Sequence, residues 1–309
     1  MHKRGHGTRY APNLILALLT GQFLAAILSA AGAEPGNLGA TLKQLGYDQI
    51  ELRRTGENHL YLSGRVNGHR RSCLVDTGWS FTTLNTNPVQ RIWTAGIVAE
   101  LKLGRVILTN EPARVQALRV NGQPTAFDMV LGRDFLICHH AVIDCAGRRL
   151  YLRREPLARE PAGQLATVFQ RRGLAAVEMT GREPLALTCV AKLNGRDVEL
   201  LVDTGARWSC LDTETARRLE LRADPSANQI TGAAAAGRRS FGVTKVKSCT
   251  MGGRELRNLN FAVLELADWG LGTNGNALRS VGGILGGNEL IAGGAIIDCG
   301  QLKLWLRVQ

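Results

Sequence analysis

The sequence predicts an all-β protein made of two tandem copies of one unit, and three observations carry that reading. Apolar residues fall in short alternating runs bounded by turn residues, the period of half-buried strands. An Asn-Gly pair separates two such runs at Asn67-Gly68 and again at Asn194-Gly195. A series of short motifs then recurs in the same order in both halves, and self-similarity of this kind decides the architecture before any single segment is read. The 309 residues leave room for two units of roughly 100–150 residues each. With 45% hydrophobic, 21% charged and only 5% aromatic residues, and with 36 glycines, a coiled coil and a polytopic membrane protein are both excluded.

In chain order, residues 1–33 read as a signal peptide. Lys3, Arg4 and Arg9 precede an apolar stretch from Leu14 to Leu28, and Ala31-Gly32-Ala33 offers a small-x-small cleavage site. Thr20, Gly21 and Gln22 interrupt the stretch, which is short for a membrane span, and no Cys follows it to carry a lipid. The expected location is periplasmic or secreted, with no stable membrane span after signal removal.

The first copy is expected over residues 34–155. Leu60 to Val66 reads as a strand, Asn67-Gly68 as a two-residue hairpin turn needing φ > 0 at both positions, and the return strand runs into Asp76-Thr77-Gly78. Short strands follow from Val98 to Leu108 around Gly104-Arg105. Val130-Leu131-Gly132 then leads to Ala141-Val142-Ile143-Asp144-Cys145 and a closing strand at Leu150-Tyr151-Leu152. Residues 156–172, with Pro156 and Pro161 and little periodicity, read as a linker. The second copy, residues 173–309, repeats the series: a strand from Leu185 to Leu193, the Asn194-Gly195 turn, Asp203-Thr204-Gly205, strands from Gly242 to Leu266 around Gly252-Gly253, Ile284-Leu285-Gly286, Ala295 to Cys299, and Leu304-Trp305-Leu306. The offset is 127 from Asp76 to Asp203 and 154 from Gly132 to Gly286.

The formal charge is +12, and +9 once the three basic residues of the leader are removed. Arginine pairs such as Arg148-Arg149 and Arg238-Arg239 are scattered and lack interleaved aromatics, so no nucleic-acid partner is expected. Seven Cys cannot all pair within one chain. Cys138-His139-His140 with Cys145 is the one metal-like cluster, and its apolar flanks make it a buried strand end; no metal is expected. Gly270 to Gly275 matches a dinucleotide fingerprint as text, without the surrounding βα alternation that binding needs.

A carboxylate at the end of a buried strand is costly unless satisfied, and the Thr-Gly that follows can supply a backbone N–H. Two Asp-Thr-Gly loops, with a glycine turn 56 residues after Asp76 and 83 after Asp203, resemble the two halves of a retropepsin-like or pepsin-like aspartic protease. The resemblance runs from about Leu60 to Leu306. It implies two closed β-barrel lobes related by a pseudo-two-fold axis, with Asp76 and Asp203 as the catalytic pair. It makes Thr77 and Thr204 mutual braces, gives Gly78 and Gly205 close backbone approach, and sets Gly132 and Gly286 behind the loops. It implies neither cofactor nor metal. Two full charges about 3 Å apart at an effective dielectric of about 20 repel by about 5–6 kcal/mol, about four pKa units, so the pair shares one proton.

Two features depart from the pattern. Trp79 follows the first Asp-Thr-Gly where a small residue is usual, whereas the second copy keeps Ala206. The indole is expected to narrow a subsite, and the absence of a hydroxyl at both positions to make the pH optimum less acidic. A flap is expected in the second copy at Thr231-Gly232 to Gly237, with Gly232, Ala233 and Ala234 beside Trp79 and Ala206 as substrate contacts; Ile92 to Gly96 is its shortened counterpart. The expected function is an exported aspartic endopeptidase acting on peptides or unfolded protein as a monomer. The alternatives are a catalytically impaired peptide-binding scaffold and a homodimer whose active site uses second copies alone.

Overall fold

Both Asn-Gly turns adopt the left-handed pair of conformations that a tight hairpin needs. Asn67 and Gly68 have φ of 48° and 82°, Asn194 and Gly195 of 46° and 82°. The asparagines do more than tolerate positive φ: Asn67 Oδ1 accepts from the Glu100 N–H, and Asn194 Oδ1 from those of Lys247 and Ser248, tying each turn to the next strand. The computed structural model describes residues 37–85, 96–120, 123–182, 186–230, 239–256, 259–269 and 281–307.

In the first copy the hairpin Leu60–Val66 and His69–Val75 alternates buried and exposed residues along its first strand, and its return strand runs parallel to Met129–Leu131. That short strand pairs with Thr83–Asn85, which runs parallel to Val106–Gln116; the latter pairs with Gly96–Leu103, and Gly96–Leu103 returns to Leu60–Val66. Six strands thereby close into a barrel and leave no free edge.

The second copy keeps the order. Ala186–Leu193 and Arg196–Val202 form the hairpin, Gly283–Leu285 runs parallel to the return strand, Cys210–Asp212 pairs with Gly283–Leu285, and Asn260–Leu264 runs parallel to Cys210–Asp212. Cys249–Met251 and Arg254–Leu256 turn around Gly252-Gly253 as expected. Arg239–Lys245 pairs with Asn260–Leu264 as Gly96–Leu103 does with Val106–Gln116, and the strand added beside it, Asp224–Ile230, has no described counterpart in the first copy.

The closing strands of the two copies join one sheet. Val142–Asp144 pairs antiparallel with Ile296–Asp298, Ile143 facing Ile297, so the pseudo-two-fold axis passes through that pair. Arg149–Leu152 and Asp48–Glu51 extend the sheet on one side, Lys303–Arg307 and Leu174–Arg182 on the other. Period-two alternation splits its side chains between two cores. Ile143, Leu150, Leu152, Ile297, Leu304 and Leu306 face the lobes, and Val142, Tyr151, Ile296 and Trp305 face the other way.

Helices Leu38–Gln44 and Arg159–Arg171 cover that second face with Leu38, Leu42, Leu165 and Phe169, Phe169 packing on Trp305 at 4.9 Å between ring centroids. Burying side chains of this size contributes about 1.5–3 kcal/mol each. The segment read as a linker is therefore mostly helix. Its buried residues, Leu165 and Phe169, are only two positions four apart, too few to show as a period, and Pro161 sits in the first turn, where it costs no hydrogen bond. The helix belongs to the repeat: Leu42 and Phe169, and the helix-ending Gly46 and Gly173 with φ of 82° and 73°, are again 127 apart.

His139 and His140 end a helix, Arg133–Cys138, and not a strand; His139 Nε2 lies 2.9 Å from Glu111 Oε2. No group of three or more metal-ligating side chains occurs among the described residues, and no helix there is long and apolar enough to cross a membrane. Residues 1–33 and the Gly270–Gly275 run lie outside the described residues.

Candidate active site

Each Asp-Thr-Gly loop is the abrupt end of a core strand. Asp76 and Asp203 donate their backbone N–H groups to the carbonyls of Leu131 and Leu285 at 3.1 and 3.0 Å, the last rungs of the parallel pairings. The chain then turns so that the next N–H groups point back. Asp76 Oδ1 accepts from Gly78 at 2.8 Å and Trp79 at 3.0 Å, and Asp203 Oδ1 from Gly205 at 2.8 Å and Ala206 at 3.1 Å. One oxygen of each carboxyl is fixed by its own loop.

The threonines join the loops across the axis. Thr77 Oγ1 donates to the Val202 carbonyl and accepts from the Thr204 N–H, while Thr204 Oγ1 donates to the Val75 carbonyl and accepts from the Thr77 N–H. All four distances lie between 2.8 and 3.1 Å, and both side chains are buried. Buried hydrogen bonds that are fully satisfied on both sides fix one relative placement of the loops.

That placement puts each glycine against the opposite carboxyl. A Cβ on Gly78 would lie 2.2 Å from the Asp203 carboxyl, and one on Gly205 2.2 Å from that of Asp76. The two carboxyls thus lie close enough to act on one another. Burial, and then the negative charge of Asp203, hold Asp76 well above the usual carboxylate range; burial raises Asp203 as well, against the lowering pull of its backbone donors. Both carboxyls therefore hold a proton more tightly than a free carboxyl does.

Gly132 and Gly286 stand behind the loops at normal φ, and their role is close approach. A Cβ on Gly132 would meet the Phe81 carbonyl carbon at 2.6 Å, and one on Gly286 the Trp208 carbonyl at 2.5 Å. A hydroxyl and a carboxylate complete each support. Thr82 Oγ1 accepts from the Gly132 N–H and donates to Asp134, and Ser209 Oγ accepts from the Gly286 N–H and donates to Glu289. These four residues were missed in the sequence because each copy uses a different pair, with Asp134 and Glu289 one position out of the 154 register.

The two sides of the dyad differ. Trp79 Nε1 donates to Thr83 Oγ1 at 2.9 Å, and the half-buried indole packs with Phe127 against Leu74, Leu118 and Val130. Ala206 packs on a larger apolar cluster that includes Leu201, Phe241 and Ile284. The turn at Thr55–His59 of the first copy reaches across the axis: Glu57 pairs with Arg207, Asn58 Nδ2 donates to Asn288 Oδ1 at 2.7 Å, and His59 faces Asp203 and the Gly205 carbonyl, with burial holding its imidazole below its usual value. Gly232, Ala233 and Ala234, and all of Ile92 to Gly96 but Gly96 itself, lie outside the described residues.

Two loops exchange threonine bonds across the axis on a mostly β framework of two copies, the arrangement that the resemblance to retropepsin-like aspartic proteases implies. Residues 190–274 match the family model described as gag-polyprotein putative aspartyl protease. No curated protein matches the sequence. Similar solved structures are the EIAV protease in complex with an inhibitor (23% identity, 36% of this chain and 90% of that one, TM-score 0.27) and the aspartic proteinase from Irpex lacteus (13%, 85% and 97%, 0.46). A retropepsin-like aspartic protease from Rickettsia conorii is a third (18%, 44% and 90%, 0.30).

Proposed function

We propose that the protein is an exported aspartic endopeptidase, active as a monomer, that hydrolyses peptide bonds with a water held between Asp76 and Asp203. The observation that carries this reading is the reciprocal bonding of Thr77 and Thr204, which ties the two Asp-Thr-Gly loops together across the axis within a single chain. The ionised carboxylate takes a proton from the water, the neutral carboxyl donates its hydrogen to the scissile carbonyl oxygen, and the resulting tetrahedral intermediate collapses as a proton passes to the leaving amine. The pair ends with the one proton it began with. Trp79 narrows the first-copy side of the cleft, and Ala206 leaves room for an apolar side chain on the other.

The test is incubation of the purified protein with an unfolded polypeptide, with and without a peptide that mimics the tetrahedral intermediate. Cleavage blocked by the mimic, at a specific activity constant from micromolar to nanomolar protein, supports the reading. Activity falling with the square of concentration points to the homodimer. Binding of the mimic without cleavage points to a peptide-binding protein, which the anchored indole of Trp79 would suit. Sequencing the amino terminus of the mature protein tests removal of residues 1–33.

A further inference from the structure

The first residue of the helix behind the Asp76 loop is Arg133, and it is completely buried. Its backbone N–H donates to the Trp79 carbonyl and its Nη2 to Ser80 Oγ at 2.6 Å, so the side chain runs alongside the loop that carries Asp76. Its Nε and Nη1 are buried with no hydrogen-bond partner among the described residues. A guanidinium out of water needs a negative charge nearby, because leaving one uncompensated costs several kcal/mol. Three carboxyls lie within its electrostatic reach: Asp134, Asp76 and Asp203. Asp134 is engaged elsewhere, one oxygen accepting from the Thr82 N–H, the Thr82 hydroxyl and the Phe135 N–H. The second copy places Gly287 at the equivalent position, its N–H donating to the Ala206 carbonyl as that of Arg133 does to Trp79, so no matching charge arrives from the other side.

We propose that Arg133 is a positioning residue, the buried counter-charge that holds the Asp76 and Asp203 pair in its singly ionised form. Its consequence for turnover rests on the endopeptidase reading; its effect on the ionisation of the pair does not. The other titratable groups facing the pair are His59, itself flanked by Glu57 and Arg207, and the thiol of Cys210. Burial favours the neutral form of both the imidazole and the thiol, and Arg207 is paired with Glu57, which leaves Arg133 as the buried positive charge. Burial of the carboxyls alone would favour a pair with two protons, inert as a base. The guanidinium opposes this, and Asp203 is drawn down by it.

The experiment follows the carboxyl carbons of the pair by NMR in full-length protein labelled at aspartate, across pH, for wild type, R133M, R133K and S80A. A unit charge about 6–10 Å away at an effective dielectric of about 20 moves such midpoints by about 1–2 pH units. R133M is expected to shift both midpoints of the pair upward by that amount, with R133K and S80A close to wild type, because the charge and not the Ser80 bond sets the position. In the cleavage assay the acid limb of kcat/KM moves up in R133M by the same amount and is restored in R133K. Unchanged midpoints in R133M overturn the proposal, even if its stability falls. Should R133M not fold, S80D places a carboxylate on the same guanidinium: an upward shift supports the proposal, and none overturns it. A wild type with shifted midpoints in R133M but no cleavage refutes the endopeptidase reading and leaves the role of Arg133 standing.

Discussion

The two copies agree where each is the other's partner and diverge where each stands alone. Along the axis, every hydrogen bond made by Thr77 has its mirror at Thr204, and Gly78 and Gly205 each face the opposite carboxyl. Away from it, the first copy carries Trp79 and sets Arg133 behind its loop. The second adds the strand Asp224–Ile230 and has Ala206 and Gly287 instead. A residue whose contacts lie in the other lobe cannot change without a matching change there, whereas one facing its own lobe or the cleft answers only to local packing. The symmetry of the centre is imposed by reciprocal contact, and the asymmetry of the walls is where selectivity can enter.

The comparison breaks most sharply at the carboxyls. Asp76→Asn and Asp203→Asn are each expected to abolish cleavage, since neither lobe can share a proton alone, with the thermal midpoint staying within a few degrees because the amide keeps the shape. Near-normal turnover in either variant, in a cleavage assay at nanomolar protein, removes that residue from the pair. Next come the braces. Thr77→Val and Thr204→Val each delete one hydroxyl and strand a buried carbonyl and a buried N–H, so each is expected to cost about 2–4 kcal/mol in denaturant unfolding. Equal losses sharpen the symmetry; a loss confined to one variant shows that one lobe carries the joint.

How much of this was legible in the sequence follows from the same distinction. Asn67-Gly68, Asp76-Thr77-Gly78, Gly132 and their second-copy counterparts are positions where backbone geometry or close approach accepts few residue types, so the copies kept the same letters. The helices Leu38–Gln44 and Arg159–Arg171 need only an apolar stripe, and Leu42 against Phe169 fulfils it without identity. Extending the offset of 127 upstream, to Gly46 with Gly173 and Glu51 with Glu178, is the signal that reveals them. The Thr55–His59 turn and Arg133 act across space on residues far away in sequence, and no local pattern marks them. The strand Asp48–Glu51 is short, with Ile50 its one buried residue, and its place in the central sheet comes from pairing with Leu152 to Arg149.

Trp79 and Ala206 offer a smaller effect that tests selectivity. Trp79→Ala removes the bond to Thr83 and the packing on Leu74 and Val130, a change expected to cost about 2–4 kcal/mol in stability while widening the side chains accepted on the first-copy side. A cleavage profile over a peptide library that is unchanged by the substitution takes the indole out of the cleft. Ala206→Trp makes the converse change, narrowing acceptance on the second-copy side, and the pair of profiles assigns each residue to its half of the substrate.

The finest difference lies in the sheet that joins the copies, at the equivalent residues Asp144 and Asp298. Each caps its own turn, Asp144 Oδ1 accepting from the Gly147 N–H at 2.7 Å and Asp298 Oδ1 from that of Gln301 at 2.9 Å. Asp144 is half-buried, but Asp298 is 1% exposed and lines a cavity of about 270 Å³ with Leu165, Phe169 and Trp305, under the helix that follows the first copy. Burial pushes the Asp298 carboxyl from 3.8 up to about 7, although the backbone donors at Gln301 and Gly300 and the charge of Lys303 pull the other way. A carboxyl raised on folding binds its proton more tightly in the native state, so its contribution to stability is complete below about pH 4 and is lost as the pH rises through about 7. Asp298→Asn stays neutral throughout and keeps an acceptor for the Gln301 N–H. In calorimetry the wild-type Tm is therefore expected to fall between pH 4 and 8 relative to that of Asp298→Asn, with the gap between the two narrowest at the acid end. Parallel curves would show that the native and unfolded chains bind this proton equally, and that the closer packing on the second-copy side of the sheet carries no electrostatic cost.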